Sequence, residues 1–127
     1  PEKLIAKVEA GAQFFQTQYC FDMKVCKKYF SILSDFGLLE SVYFLVGIGP
    51  FSSSKQAKWM HENLPGVEVP DRILDMLSRS KDEKADGKKI CLELLNELQE
   101  ISGVSGAHIM GPGQEQSVAE IIQAKRK

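Results

Sequence analysis

Ala10-Gly11-Ala12-Gln13-Phe14-Phe15-Gln16-Thr17-Gln18-Tyr19-Cys20-Phe21-Asp22 decides how this chain folds. The stretch reads as the end of a helix, a tight turn, a short strand and a polar tip. Gly11 can close the helix in a left-handed conformation, which costs glycine least. Phe14 and Phe15 open a strand, Gln13 to Gln18, that reads as buried on both faces. Thr17 and Gln18 stand where the strand runs out, and Asp22 is placed to cap the next helix. The carboxyl end of a strand feeding a helix is where α/β proteins put ligand chemistry. The same arrangement recurs twice further on.

Upstream, Leu4, Ile5 and Val8 lie at helical spacing opposite Lys3, Lys7 and Glu9, the pattern of an amphipathic helix. Downstream, the helix begun by Asp22 runs to Ser34 or Asp35, with Val25, Tyr29, Ile32 and Leu33 as its expected inward stripe and Gly37 as its stop. Ser41 to Gly47 is a second strand. Its unbroken apolar run, Val42-Tyr43-Phe44-Leu45-Val46, predicts a parallel strand covered on both faces. Gly47, Gly49 and Pro50 make a loop that admits close backbone approach. Ser52, Ser53 and Ser54 can cap a helix over Lys55–Asn63, with Trp59 and Met60 facing inward. Pro65-Gly66 and Pro70 punctuate the chain before a short helix, Asp71 to Leu77. Asp82 starts a long helix, Glu83 to Ser102, with Ile90, Leu94, Leu95, Leu98 and Ile101 on its inner face. A third strand, Ser105 to Met110, leads through Gly111-Pro112-Gly113 into a last helix with Val118, Ile121 and Ile122 on its buried side.

The order is α–βα–βαα(α)–βα, an α/β chain with parallel strands joined by helical crossovers. Three strands leave apolar sheet edges open, which is a poor stand-alone solution. The pattern fits consecutive βα units from the last part of a (β/α)8 TIM barrel better than a complete flavodoxin-like domain. Residues 1–127 are accordingly read as one partial barrel domain of about three βα units. No Rossmann or P-loop glycine fingerprint is present.

The chain has 127 residues and a formal net charge of −1, from 16 basic and 17 acidic side chains. That balance offers no electrostatic basis for a nucleic-acid or membrane partner. The basic ending Ala124-Lys125-Arg126-Lys127 is the solvated end of a helix. No apolar run approaches the roughly 18–20 residues that cross a bilayer. The start at Pro1-Glu2-Lys3 carries neither an initiating Met nor an apolar leader, which reads as a processed or trimmed product. Cys20, Cys26 and Cys91 are odd in number and unpaired in spacing, which fits a reducing cytoplasm rather than a disulfide framework. The two histidines lie far from the cysteines in sequence, so the spacing predicts no metal site. His108 precedes the third mouth by two residues and is expected to pack, with one nitrogen satisfied, rather than to act as a general acid. His61, on an exposed helix beside Glu62, is expected to be structural. Cys20 lies near the mouth but has no base close by, which predicts an inert thiol.

Taken together, Lys7-Val8-Glu9-Ala10-Gly11-Ala12, Thr17-Gln18 with Phe21-Asp22, Gly47-Ile48-Gly49-Pro50 with Ser52, Lys55-Gln56-Ala57, Pro65-Gly66-Val67 with Val69-Pro70, and Gly103-Val104 with His108 resemble the carboxyl-terminal part of the methylenetetrahydrofolate reductase family. The likeness covers essentially the whole chain. It implies the last three βα units of the family barrel and a flavin-dependent oxidoreductase of one-carbon metabolism. Family members carry FAD and pass hydride from a nicotinamide dinucleotide to methylenetetrahydrofolate, and most of their flavin contacts belong to earlier strands. The expected partners are a folate or related tetrahydropterin and a nicotinamide dinucleotide or protein electron donor.

By the resemblance, Gln18 matches the glutamine that hydrogen-bonds the pterin. An amide offers both donor and acceptor, which a pterin edge can return. Spacing alone favours a cap on neighbouring backbone; the resemblance favours the ligand role. Lys7 matches a lysine near the flavin diphosphate, for which a point charge is suited; its alternative is a solvated helix lysine. Gly47, Gly49 and Pro50 shape the second mouth loop on the substrate side, or serve as ordinary turn residues. Ser54 stands where the family often has an aromatic that packs on folate, and Gln114 where some members have an arginine. Both departures bear on folate affinity or on the identity of the C1 carrier. The resemblance assigns no catalytic residue here. The competing reading is a non-catalytic assembly or binding module that completes a barrel with another chain or pairs with itself. A barrel handing methyl groups to a corrinoid is disfavoured because no Asp-x-His-x-x-Gly motif occurs.

Overall fold

The computed structural model describes residues 2–126, so Pro1 and Lys127, at the two ends discussed above, lie outside the described residues. The elements run α1 (Glu2–Glu9), β1 (Phe14–Tyr19), α2 (Met23–Asp35), a 3-10 turn (Leu38–Glu40), β2 (Tyr43–Ile48), α3 (Ser54–Asn63), α4 (Asp71–Ser78), α5 (Glu83–Gln99), β3 (Gly106–Ile109) and α6 (Glu115–Arg126). The strands form one parallel sheet in the order β1-β2-β3. The α/β class and the expected order of elements both hold.

Local chemistry sets the helix ends. Gly11, at φ +108°, turns the chain out of α1 into β1. The Asp22 carboxylate accepts from the backbone N–H groups of Lys24 and Val25 and so caps α2. Gly37, at φ +71°, follows the end of α2 and leads into the 3-10 turn. Ser53, rather than its neighbours, is the N-cap of α3: its Oγ accepts from Gln56 N–H at 3.0 Å, while Gln56 Oε1 accepts from Ser52 N–H at 2.7 Å.

The sheet is covered on one face. Phe44, Val46 and Ile48 of β2 are buried against the helices, with Phe30 of α2 edge-on to Phe44 at 5.5 Å between ring centres. The paired residues Phe14 and Tyr43, Gln16 and Leu45, Leu45 and Gly106, and Gly47 and His108 share the opposite face. There Phe14 is 59% and Tyr43 69% exposed. This corrects the expectation that the first two strands are buried on both faces. Exposed and half-buried residues alternate along β1, because β1 is an edge strand and no element among the described residues covers its second face.

The inner face of α5 is as expected, with Ile90, Leu94, Leu95, Leu98 and Ile101 all buried. Gly87 lets α5 meet the chain at Phe51, since a Cβ there would fall 1.8 Å from the Phe51 carbonyl oxygen. Three packing expectations fail. In α2 the buried stripe is Met23, Cys26, Phe30 and Leu33, while Val25, Tyr29 and Ile32 are exposed. In α3, Trp59 points to solvent and Ala57 with Met60 takes the inner face. In α6, Ser117 and Ile121 are buried and Ile122 is exposed.

Candidate functional site

The carboxyl ends of the three strands come together in one mouth. The register of β1 on β2 slips between Gln16 and Tyr19. A bulge of this kind re-aims side chains at the end of a strand. Thr17 closes the gap: its Oγ1 accepts from Gly47 N–H at 2.9 Å and donates to the Gln18 carbonyl at 2.8 Å. Pairing resumes when Cys20 N–H donates to the Gly47 carbonyl at 2.8 Å. Gly47 allows this crossing, since a Cβ would lie 2.7 Å from the Thr17 carbonyl oxygen and 2.6 Å from Met110 Cε.

Gln18 is exposed at the tip of the bulge. Its Oε1 accepts from Tyr19 N–H at 3.0 Å, and its Nε2 has no partner among the described residues. The amide is thus a backbone cap with its donor half still available. Tyr19 leans across the mouth, its hydroxyl donating to the Met110 carbonyl at 3.3 Å. Partial burial pushes the phenol above its ordinary value. Tyr19 stacks on Phe21 at 5.2 Å between ring centres, and Phe51 packs tilted against Phe21 at 4.6 Å. These rings hold the floor of the mouth.

The second loop presses directly on the third strand. A Cβ on Gly49 would lie 2.0 Å from the Met110 carbonyl oxygen, so only glycine fits there. Gln114, in the turn before α6, donates from Nε2 to the Pro50 carbonyl at 3.1 Å and ties the second mouth loop to the third. Its Oε1 is buried without a partner, as is Ser117 Oγ one turn further on. Gly47 and Gly49 thus both abut Met110, and Gln114 reaches the same loop at Pro50.

Ser54 occupies the first turn of α3, where its backbone N–H donates to Glu83 Oε1 at 2.9 Å. Hydrogen bonding from Ser54, the backbone N–H first, holds the Glu83 carboxyl below its ordinary value. Ser54 thus ties α3 to α5. Lys7 is exposed on α1, and together with Gln18 it lines a cavity of about 380 Å³ between α1, β1 and α2. Leu4, Phe15, Val25 and Tyr29 make most of that cavity apolar, and Cys20 and Cys26 also face it.

His108 is half-buried, opposite Gly47 on the open sheet face, and its ring has no hydrogen-bond partner among the described residues. The packed, satisfied imidazole expected there is not found. His61 is structural as expected: its Nδ1 accepts from the N–H of buried Val69 at 3.0 Å. Among the described residues no three His, Cys, Asp or Glu side chains cluster as metal ligands, and no helix is long and apolar enough to cross a membrane. Reading the sequence missed Tyr19 and Met110 as members of the mouth. An aromatic in the last strand position, next to the glutamine, was the available signal for Tyr19. Nothing in the sequence marked Met110, because its part is played by its backbone carbonyl.

A family model described as methylenetetrahydrofolate reductase matches residues 2–126. A Caenorhabditis elegans protein described as a probable methylenetetrahydrofolate reductase (NADPH) is 26% identical over 125 residues. That alignment covers 95% of this chain but 18% of the relative. Among solved structures, an uncharacterized protein from Clostridium thermocellum that binds two copies of 5-methyl-5,6,7,8-tetrahydrofolic acid superposes with a TM-score of 0.67 at 18% identity. The match takes in 98% of this chain and 47% of that one. The chain therefore spans under a fifth of the length of its curated relative and about half of its structural neighbour.

Proposed function

The chain belongs to the methylenetetrahydrofolate reductase family, and from that premise we propose that it forms the folate-facing wall of a reductase of one-carbon metabolism. On this reading residues 1–127 are the last three βα units of a (β/α)8 barrel. The observation that carries the proposal is the free donor of Gln18 at the bulged end of β1. Gln18 Nε2 can donate to a pterin without breaking any contact. Its Oε1 can accept from a pterin N–H by sharing or releasing Tyr19 N–H. A neutral amide orients the ring without placing charge beside the reacting carbon. Gly47, Gly49 and Pro50 keep the adjoining wall flat, and Gln114 fixes the loop they belong to. Ser54, engaged with Glu83, is assigned no part in stacking.

In the whole protein the reaction proposed is reduction of methylenetetrahydrofolate, with FAD as the hydride carrier and a nicotinamide dinucleotide or a protein as electron donor. The described residues do not by themselves fit a flavin. Lys7 is one exposed cation, and no second basic side chain lines the cavity it shares with Gln18. This chain's own share is to bind and orient the folate.

Calorimetric titration with 5-methyltetrahydrofolate tests the proposal. Gln18→Ala should weaken binding by about 1–3 kcal/mol, the scale of a lost hydrogen bond in a partly dry site. Equal affinities for the two proteins would remove Gln18 from the site. A second reading, a module that completes a barrel supplied by another chain, is favoured by the open sheet face carrying Phe14 and Tyr43. A colourless purified protein with no dye-linked oxidation of methyltetrahydrofolate would favour it for this chain alone.

A further inference from the structure

Two cysteines share one backbone acceptor at the start of α2. Cys20 follows the last residue of β1, and Cys26 lies one turn into the helix, 2% exposed. The Asp22 carbonyl joins them: it takes the Cys20 thiol at 3.7 Å and the Cys26 N–H at 3.0 Å. Both side chains face the 380 Å³ cavity beside Gln18. Burial differs between them, with Cys20 half-buried and Cys26 closed in by the core.

The pair is also chemically unequal. The neighbouring Cys26 thiol holds Cys20 below the ordinary thiol value, against burial and the nearby Asp22 carboxylate. The same contact, with burial, pushes Cys26 well up. Cys20 is thus the readier thiolate, and Cys26 stays protonated beside the same Asp22 carbonyl and the same cavity. Cys91 is a contrast: it is buried in α5 and pushed up to about 12 by desolvation.

We infer that Cys20 and Cys26 form an oxidation site for hydroperoxides, with Cys20 as the attacking thiol and Cys26 as the resolving one. This revises the expectation that Cys20 is inert. In the first step the Cys20 thiolate attacks the near oxygen of the peroxide. An S–O bond forms, the O–O bond breaks, and the departing oxygen leaves as water or an alcohol after taking a proton. In the second step Cys26 gives up its proton and its sulfur attacks Cys20. The S–S bond forms, the S–O bond breaks, and water leaves. Two thiols lose two electrons and one hydroperoxide gains them. The apolar cavity has room for an organic hydroperoxide as well as for hydrogen peroxide.

Tryptic mapping of the full chain tests this, because Lys24 lies between the two cysteines and a bond would link separate peptides. Stoichiometric hydrogen peroxide, followed by alkylation under native conditions, should yield the Cys20–Cys26 linked pair with Cys91 still reduced. In Cys26→Ala, dimedone should trap a sulfenic acid on Cys20. The alkylation pH profile of Cys20 should also move upward, with a several-fold slower rate at neutral pH. Cys20 and Cys26 both fully alkylatable after peroxide treatment would overturn the inference, as would an unshifted Cys20 profile in a Cys26→Ala protein whose circular dichroism matches the wild type. The mapping on unmodified protein stands even if that variant fails to fold.

Discussion

At the scale of single residues, the mouth depends on atoms that are missing as much as on those present. Gly49→Ala would place a methyl 2.0 Å from the Met110 carbonyl oxygen, a backbone atom that cannot rotate away. The strand ends must then separate, at a cost of about 1–3 kcal/mol or somewhat more. Urea denaturation should register that loss as a lower midpoint. His61→Ala acts by the opposite route, leaving the N–H of buried Val69 without its acceptor. The expected cost is about 1–3 kcal/mol, and it should appear as loss of hydrogen-exchange protection at Val69 before any global unfolding. An unchanged exchange rate would mean that water replaces the imidazole. Both residues were legible beforehand only as types, a loop glycine and a structural histidine. Their partners, Met110 and Val69, are reached through backbone atoms, which no side-chain pattern announces.

At the scale of elements, helix α5 was readable because its apolar residues form one unbroken face and the other face is charged. Helix α2 was not. It carries apolar residues around much of its circumference, and two rival stripes share Leu33. The register that buries Phe30 against Phe44 prevails, which leaves Val25 and Tyr29 lining the cavity toward α1. Trp59 misled for a related reason: small Ala57 and flexible Met60 fit the inner side of α3, and a bulky indole does not. The tie between α3 and α5 gives a pH prediction. The Glu83 carboxyl is depressed by its hydrogen bonds to Ser54. Its contribution is therefore present above the unfolded carboxylate value of about 4.5 and is lost as pH falls through the lower folded value. Glu83→Gln should flatten the acid limb of a stability–pH curve between those two values, leaving the variant less stable than wild type at neutral pH and level with it below both values. An acid limb identical to wild type would show that the Ser54 contact carries no linkage.

At the scale of the whole molecule, the described residues form a sheet with one finished face and one unfinished one. The helices cover Phe44, Val46 and Ile48, while Phe14 and Tyr43 stand paired and exposed at the amino ends of β1 and β2. Strands β1 and β3 each pair only with β2 among the described residues, so both outer edges present unpaired backbone groups. Open apolar edges of this kind recruit further strands, whether from more βα units or from a second copy. The sequence pattern exposed this shortage at once, since three parallel strands do not close on themselves. It did not reveal which face would stay open, because a continuous apolar run reads alike in a strand covered on one side or on two. Chain purified by itself should therefore self-associate with rising concentration in sedimentation velocity. Replacing both rings, as Phe14→Lys with Tyr43→Lys, should shift that equilibrium toward monomer by placing like charges directly opposite each other on adjacent strands. The double substitution leaves the helix-packed core untouched, so its circular dichroism should match wild type. A wild-type chain that stays monomeric across the accessible concentrations would mean that the open face is tolerated in water, and the case for a covering partner would then rest on the sheet edges alone.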